Sequence, residues 1–255
     1  MDWAALYLFM MITGRMTGFV LFNPLFGRAG IPSMVKAEFS LLLAVTVFLM
    51  APAGPSTVPT TLLELSLRFL LEMALGYVLG LVVNIFFYIP LLAGSSVDLQ
   101  MGMTMGATYD PGSGASISVT ATLLNLLMML LFFAANGHHT LLRIILTSGD
   151  VVPFGAVALG PELYSAIVEL FMECTLLGVK LCMPILAAEL VGQVGMGILM
   201  KVIPQINVFA INIELKVIIG LALLLLLMAP FSEFLLRAES TMLQELQQLL
   251  PLMTS

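Results

Sequence analysis

The sequence predicts an all-α protein: polytopic, hydrophobic, and built from long kinked helical hairpins. Of its 255 residues, 60% are hydrophobic and only 9% charged, and the mean hydropathy is +1.11; a soluble domain carries roughly 25% charged residues. Apolar runs of about 20 residues, the length that crosses a hydrocarbon core of about 30 Å, recur between Pro- and Gly-rich breaks. The formal net charge of −6 comes without any cluster of Lys and Arg, so nucleic acid is excluded as a partner, because binding phosphate backbones requires clustered cations. The opening MDWAALY has no basic region, and no small-residue cleavage pattern follows, so the first helix is expected to be retained.

Each element follows from runs and breaks. A first helix is expected over about Trp3 to Phe22, containing Arg15 and stopped by Pro24 and Gly27. The next apolar run, Phe39 to Met50, is long enough for a span only if its helix starts near Pro32. From about Thr61 to Leu92 comes a stretch too long for one perpendicular crossing, so it must tilt, break or protrude; Pro90 and Gly94 are expected to lead out of it into a loop. A helix over about Ala121 to Ala135 is read as ending at a C-cap made by Asn136 and Gly137. A second long stretch, about Pro161 to Met200, should kink at Pro184, and a last apolar helix covers about Val208 to Met228. In the tail, residues 232–255, Phe234, Leu235, Met242, Leu246 and Leu249 form a stripe beside Glu239, Gln244, Glu245 and Gln247. That is an amphipathic pattern, and its acidic balance favours a protein partner over anionic lipid.

The most informative segment lies between these helices, from Leu99 to Val119, LQMGMTMGATYDPGSGASISV. Gly102, Gly106, Gly112 and Gly114 allow positive backbone angles, and Pro111 after Asp110 excludes a regular helix. Met101, Met103 and Met105 add flexible, polarizable side chains that pack against changing partners. Two readings fit: a re-entrant turn that merely joins two helices, and a gate that closes and reopens. Irregular backbone at membrane depth is tolerated where it is buried or lines a cavity.

Ionisable groups inside apolar runs need protein or water around them. Arg15, Arg68, Glu72, Glu169, Glu173, Lys180, Glu189, Glu214 and Lys216 are such groups. Glu64, Arg68 and Glu72 recur every four residues and are placed to pair along one face; Glu173 and Lys180, two turns apart, are placed to satisfy each other. Glu189 falls on roughly the opposite face from Lys180 and needs another partner, for which a subunit contact is one candidate. Cys174 and Cys182 read as packing residues. His138 and His139 point about 100° apart on a helix, a poor arrangement for a shared metal, and Gly192, Gly195 and Gly197 lack the preceding strand of a nucleotide loop and read as a site of close helix packing. With no phosphate loop, HExxH or nucleophile elbow, the chain is not expected to be an enzyme, and no cofactor or metal is implied.

Several separated motifs together resemble one family, FliR of the flagellar export apparatus, whose relatives serve virulence type III secretion. They are GRMTGFVLFNPLFGRAGIPSMVK with Arg15, Pro24, Pro32 and Lys36; LQMGMTMGATYDP; FFAANGHHTLL; and IPQINVFAINIELKVIIG, where Pro204, Gln205, Asn207, Phe209 and Lys216 look like the family's most specific pattern. The Asn-Gly-His group around His138 favours the flagellar branch.

The resemblance implies a single export-gate domain, residues 1–255, in which a FliP-like portion, residues 1–160, is followed by a FliQ-like helical hairpin, residues 161–231, and the amphipathic tail, residues 232–255. It implies FliP-like and FliQ-like partner subunits, an associated FlhB-like subunit, unfolded flagellar export substrates as cargo, and a place in the basal body at the bacterial inner membrane, partly facing the periplasm. The central segment then becomes a pore plug, carried by Met101, Gly102, Met103, Met105, Gly106, Asp110, Pro111, Gly112 and Gly114. Subunit interfaces fall on Arg15, Glu173, Lys180, Glu189, Pro204, Gln205, Asn207, Phe209 and Lys216. Two alternatives remain at this point: a small-solute or proton-coupled secondary transporter using paired intramembrane charges, and a purely structural assembly subunit.

Overall fold

The computed structural model describes residues 3–28, 30–50, 59, 61–103, 118–202 and 208–254. Within them the helices, in chain order, are α1 (Trp3–Phe22), α2 (Ser33–Met50), α3 (Leu62–Met101), α4 (Val119–Ala134), α5 (Gly137–Leu146), α6 (Ser148–Val151), α7 (Pro161–Val202), α8 (Val208–Leu226) and α9 (Met228–Leu249), closed by a 3-10 turn, Leu250–Met253. Among the described residues the only strand-like feature is an isolated bridge between Val157 and Thr254. The all-α reading holds. The chain forms two compact units, one of Met1–Phe86, Asn136–Phe171 and Glu239–Ser255, the other of Phe87–Ala135 and Met172–Ala238.

In the first unit α1 and α3 meet through small residues. A Cβ on Gly18 would fall on the carbonyl of Met73, and one on Gly76 would fall on the carbonyl of Arg15 and 2.7 Å from Phe19 N. Backbones this close bring Met11, Ile12, Met16 and Phe19 of α1 into one core with Leu75, Leu79, Val82 and Val83 of α3. Helix α2 starts at Ser33, directly after Pro32, which gives it the length that Phe39 to Met50 alone lacks. It lays a narrow stripe, Leu43, Ala44 and Val47, toward the chain and leaves Met34, Leu41, Leu42, Leu49 and Met50 exposed. The end of α9 and the 3-10 turn bury Met242, Leu246, Leu249, Leu250 and Met253, and Ala158 N donates to Met253 O at 3.0 Å.

In the second unit the end of α3 lies against the start of α4: a Cβ on Gly94 would fall on Ala121 Cα, and Phe87 and Phe132 meet edge to face with centroids 6.0 Å apart. Gly178 of α7 faces Leu92 and the Ile89 carbonyl of α3, and Gly220 of α8 leaves room for the Met101 side chain.

Four expectations are corrected. Helix α3 does not leave for a loop at Pro90 and Gly94; it runs through both to Met101. Proline removes one hydrogen bond and clashes with the preceding turn, at a cost of about 3 kcal/mol, but Pro90 lies among Phe86, Phe87, Ile89, Ala93 and Val97, all buried, and that packing outweighs one lost bond. The C-cap near residue 135 is divided differently: Ala135 is the cap, Asn136 takes the left-handed conformation at φ 60°, and Gly137 already begins α5. Asn is one of the few residues other than Gly that visits this region readily. In the tail, Glu239, expected on the polar side, is buried; it stands four residues after Leu235 and three before Met242, on the apolar stripe itself. That stripe is covered by this chain rather than left for a protein partner. Lastly, Gly195 and Gly197 meet nothing within 4 Å, so among the described residues no helix packs closely on them.

Among the described residues four helices, α1, α2, α3 and α7, are long and apolar enough to cross a membrane, or up to six spans if each of two bent helix pairs counts as one. At 1.5 Å per residue the 40 residues of α3 and the 42 of α7 are each about 60 Å long, twice the hydrocarbon thickness. Unless steeply tilted, either helix must protrude when it crosses. The glycine crossing is testable by overpacking: Gly76→Val should destabilise the detergent-solubilised protein by about 1–3 kcal/mol, read as a lowered thermal midpoint, whereas Gly195→Val, in open space, should leave the midpoint unchanged.

Candidate functional site

The central segment leaves α3 through a helix ending that its sequence dictates. Gly102 has φ +78°, its N–H donates to Leu99 O at 3.2 Å, and Met103 N donates to Asp98 O at 3.0 Å. This is the paired closure that satisfies the last carbonyls of a helix, and it needs a residue without Cβ strain at the left-handed position. Met101, just before, is fully buried against Gly220. Of the expected plug residues, then, Met101 is packed inside the second unit and Gly102 shapes the exit, while Met103 is the first with a partly exposed side chain. Met105, Gly106, Asp110, Pro111, Gly112 and Gly114 lie outside the described residues.

The segment's far end returns to the same place. Asp98, 1% exposed, accepts at Oδ2 from Ser118 Oγ at 2.6 Å and from Thr120 N at 3.1 Å. Ser118 is also the N-cap of α4, accepting from Ala121 N at 3.1 Å. An acid in the last turn of a helix is disfavoured by the helix dipole, but here its carboxylate sits at the N-terminus of α4, where unpaired N–H groups favour negative charge. The end of α3 and the start of α4 are thus joined by one carboxylate. Sequence reasoning missed both anchors. Their signals were present: a Ser directly before the apolar run VTATLL is an N-cap pattern, and Asp98 is a single acid near the end of a long apolar helix.

A second polar cluster lies inside the first unit. Arg15 and Glu72 are fully buried and paired, Nε to Oε2 at 2.7 Å. Arg15 further donates to Ser148 Oγ at 3.1 Å and Val152 O at 3.0 Å, and Phe154 stacks on it with the guanidinium carbon 4.2 Å from the ring centre. Glu72 Oε1 accepts from Gly155 N at 2.6 Å. Glu64 and Arg68 pair as expected, but Glu72 leaves that row for Arg15. Helix α3 turns Glu72 toward the core while Arg68 stays partly solvated beside Tyr7. Arg15, expected at a subunit interface, therefore has its charge neutralised within the chain.

Of the remaining expected interface residues, Glu173, Lys180 and Glu189 lie on α7 and Lys216 on α8. Glu173 and Lys180 are both exposed and form no ion pair with each other, the described pairs being Arg15–Glu72 and Arg68–Glu64. The transporter reading loses its charge pair. Glu189 is buried, with Oε1 unbonded among the described residues, and Lys216 is near enough to act on its charge. Pro204, Gln205 and Asn207, and the side chain of Phe209, lie outside the described residues. His138 and His139 bring their rings to 4.1 Å.

Two outcomes test these clusters. Arg15→Met, which leaves Glu72 buried without its cation, should cost about 3–5 kcal/mol. Adding Glu72→Gln, which keeps an acceptor for Gly155 N, should recover part of that loss in a thermal unfolding comparison. Ser118→Ala, which removes the cap and a donor to Asp98, should cost about 1–2 kcal/mol in denaturant titration of the solubilised chain, while Ser95→Ala, on an exposed turn of α3, should stay within about 0.5 kcal/mol.

The family described as bacterial export proteins, family 1, matches residues 6–242. The chain is similar to the flagellar biosynthetic protein FliR of Escherichia coli, 26% identical over 256 residues that span 99% of this chain and 96% of that protein. It is similar also to FliR of Bacillus subtilis, 26% identical over 228 residues, 87% of this chain and 86% of that one. FliR of Pectobacterium carotovorum is 28% identical over 225 residues, 87% and 85% of the two chains.

Proposed function

Because this chain belongs to the bacterial export proteins, family 1, as a FliR-type component of the flagellar export apparatus with apolar, membrane-type helices, we propose that it is a subunit of the type III export gate. With FliP-like and FliQ-like subunits, and an FlhB-like subunit associated, it forms the conduit for unfolded flagellar subunits at the inner membrane, in an assembly that partly faces the periplasm. Residues 1–160 act as the FliP-like portion and 161–231 as the FliQ-like hairpin. Glu173, Lys180, Glu189, Lys216 and the segment from Pro204 to Phe209 serve contacts with neighbouring subunits.

The central segment is the plug. The observation that supports this is the clasp of Asp98 with Ser118 and Thr120: a loop rich in Gly and Met has both ends fixed on one rigid, buried base. A mere connection between two helices needs no such anchoring. A gate does, because it must return to one closed position after each passage. Glycines and methionines suit a seal that stops ions yet has no strong preference among the side chains passing it. The chain acts as channel wall and gate, with the energy for transport supplied elsewhere in the apparatus.

A photo-crosslinking residue in place of Met103, introduced into cells carrying the complete apparatus with an export substrate arrested in passage, tests this. Crosslinks to cargo are expected. Crosslinks to FliP-like neighbours alone would turn the segment into an assembly element and the subunit into a scaffold.

A further inference from the structure

One cation of the first unit faces a cavity with no counter-charge among the described residues. Arg15 and Arg68 are ion-paired and Lys36 donates to Gly27 O, but the Arg143 guanidinium makes no ion pair or hydrogen bond among the described residues. It stands in the last turn of α5, where a cation ordinarily serves the helix's terminal carbonyls. The carbonyl of Arg143 itself is already taken, accepting from Thr147 N and from Thr147 Oγ1, each at 2.9 Å. Five N–H donors are thus left for an outside acceptor.

The cavity is a half-open cleft of about 390 Å³ between α5 and the end of α9. Ile144, Val151 and Leu250 give it apolar walls, and Thr140 and Gln247 add a hydroxyl and an amide beside Arg143. Among the described residues no acidic side chain lines it; Asp150 is nearby in sequence but exposed and outside the cleft. Helices α5 and α9 each segregate apolar and polar faces, with Leu141, Ile144 and Ile145 buried on one and Met242, Leu246 and Leu249 on the other. Those apolar faces are packed within the chain, so the cleft is judged by its own lining: a cation beside apolar walls, in a chain of membrane-type composition, fits an anionic amphiphile, and the anion abundant where hydrocarbon meets water is a phosphodiester. We propose that this cleft binds the phosphate of a phospholipid. Arg143 takes the phosphate oxygens in a charge-assisted, forked contact, Thr140 and Gln247 donate beside it, and the apolar walls hold the glycerol and upper acyl region. The tail's acidic balance does not oppose this, because the cation comes from α5.

The test uses the full chain with its co-purifying subunits in phosphatidylcholine vesicles carrying a trace of phosphatidylglycerol with a photoactivatable acyl chain, and maps crosslinked peptides. Labelling is expected in residues 137–151 and 244–253. It should fall on the order of tenfold in Arg143→Gln, the effect of one charge-assisted contact, persist in part in Arg143→Lys, and resist excess inorganic phosphate. Equal labelling of wild type and Arg143→Gln, with unchanged thermal midpoints, would overturn the proposal. Displacement of the label by inorganic phosphate would overturn the lipid source and leave a soluble phosphate site. If Arg143→Gln lowers the thermal midpoint, the exposed Gln247→Leu combined with Thr140→Val replaces it, with the same outcomes.

Discussion

In a chain this apolar, a polar group withdrawn from water has only the rest of the chain to turn to, and the Arg15–Glu72 pair is where that constraint is met most completely. Its two charges come from α1 and α3, and its remaining donors and acceptors reach Ser148, Val152 and Gly155 in the segment that follows α5. Five positions separated by up to 140 residues in sequence are thereby required to be in one place. Desolvating two charges is expensive, and replacing such a pair by apolar residues is often neutral or stabilising. What the pair supplies is register. An arginine has one planar fork and few ways to satisfy it, so α1 is set against α3 by hydrogen-bond geometry as well as by shape.

The second constraint is steric. Gly18 and Gly76 let the backbones of α1 and α3 approach, Gly94 does the same for α3 and α4 in the second unit, and Gly178 and Gly220 make room there for the side chains of Leu92 and Met101. Large apolar side chains then fill what lies on either side of each crossing. Small residues at the contact and bulky ones around it are how helices associate where hydrophobic burial gives little preference for protein over lipid.

The helices were legible because their signal is long and local: α1, α7 and α8 begin and end close to where apolar runs and breaks put them. Boundaries set by a single proline were not, since the effect of Pro90 depends on the packing around it, which no local window contains. Charge partners were legible only within one helix. Spacing gave Glu64 with Arg68, but Glu72 faces a residue 57 positions away and the sequence carries no distance for that. In α9 the charge of Glu239 points to the polar face while its spacing from Leu235 and Met242 points to the apolar one, and the spacing decides. At the candidate site, Gly102 was readable as a left-handed position because glycine there has one main use. Asp98 was not, because its role depends on a helix whose N-cap, Ser118, comes twenty residues later.

Asp98 serves α3 with its carbonyl and α4 with its carboxylate, and this sets a geometric limit on the segment between them. Fourteen residues separate Met103 from Ser118. With both ends tied at one point, a chain of that length reaches no farther than about 25 Å from its base, half of its fully extended span. The clasp therefore defines a tether radius, comparable to the width of a small domain. Whatever the segment touches must lie within that radius of the α3–α4 junction, and so the position of this junction decides which neighbours the segment can reach.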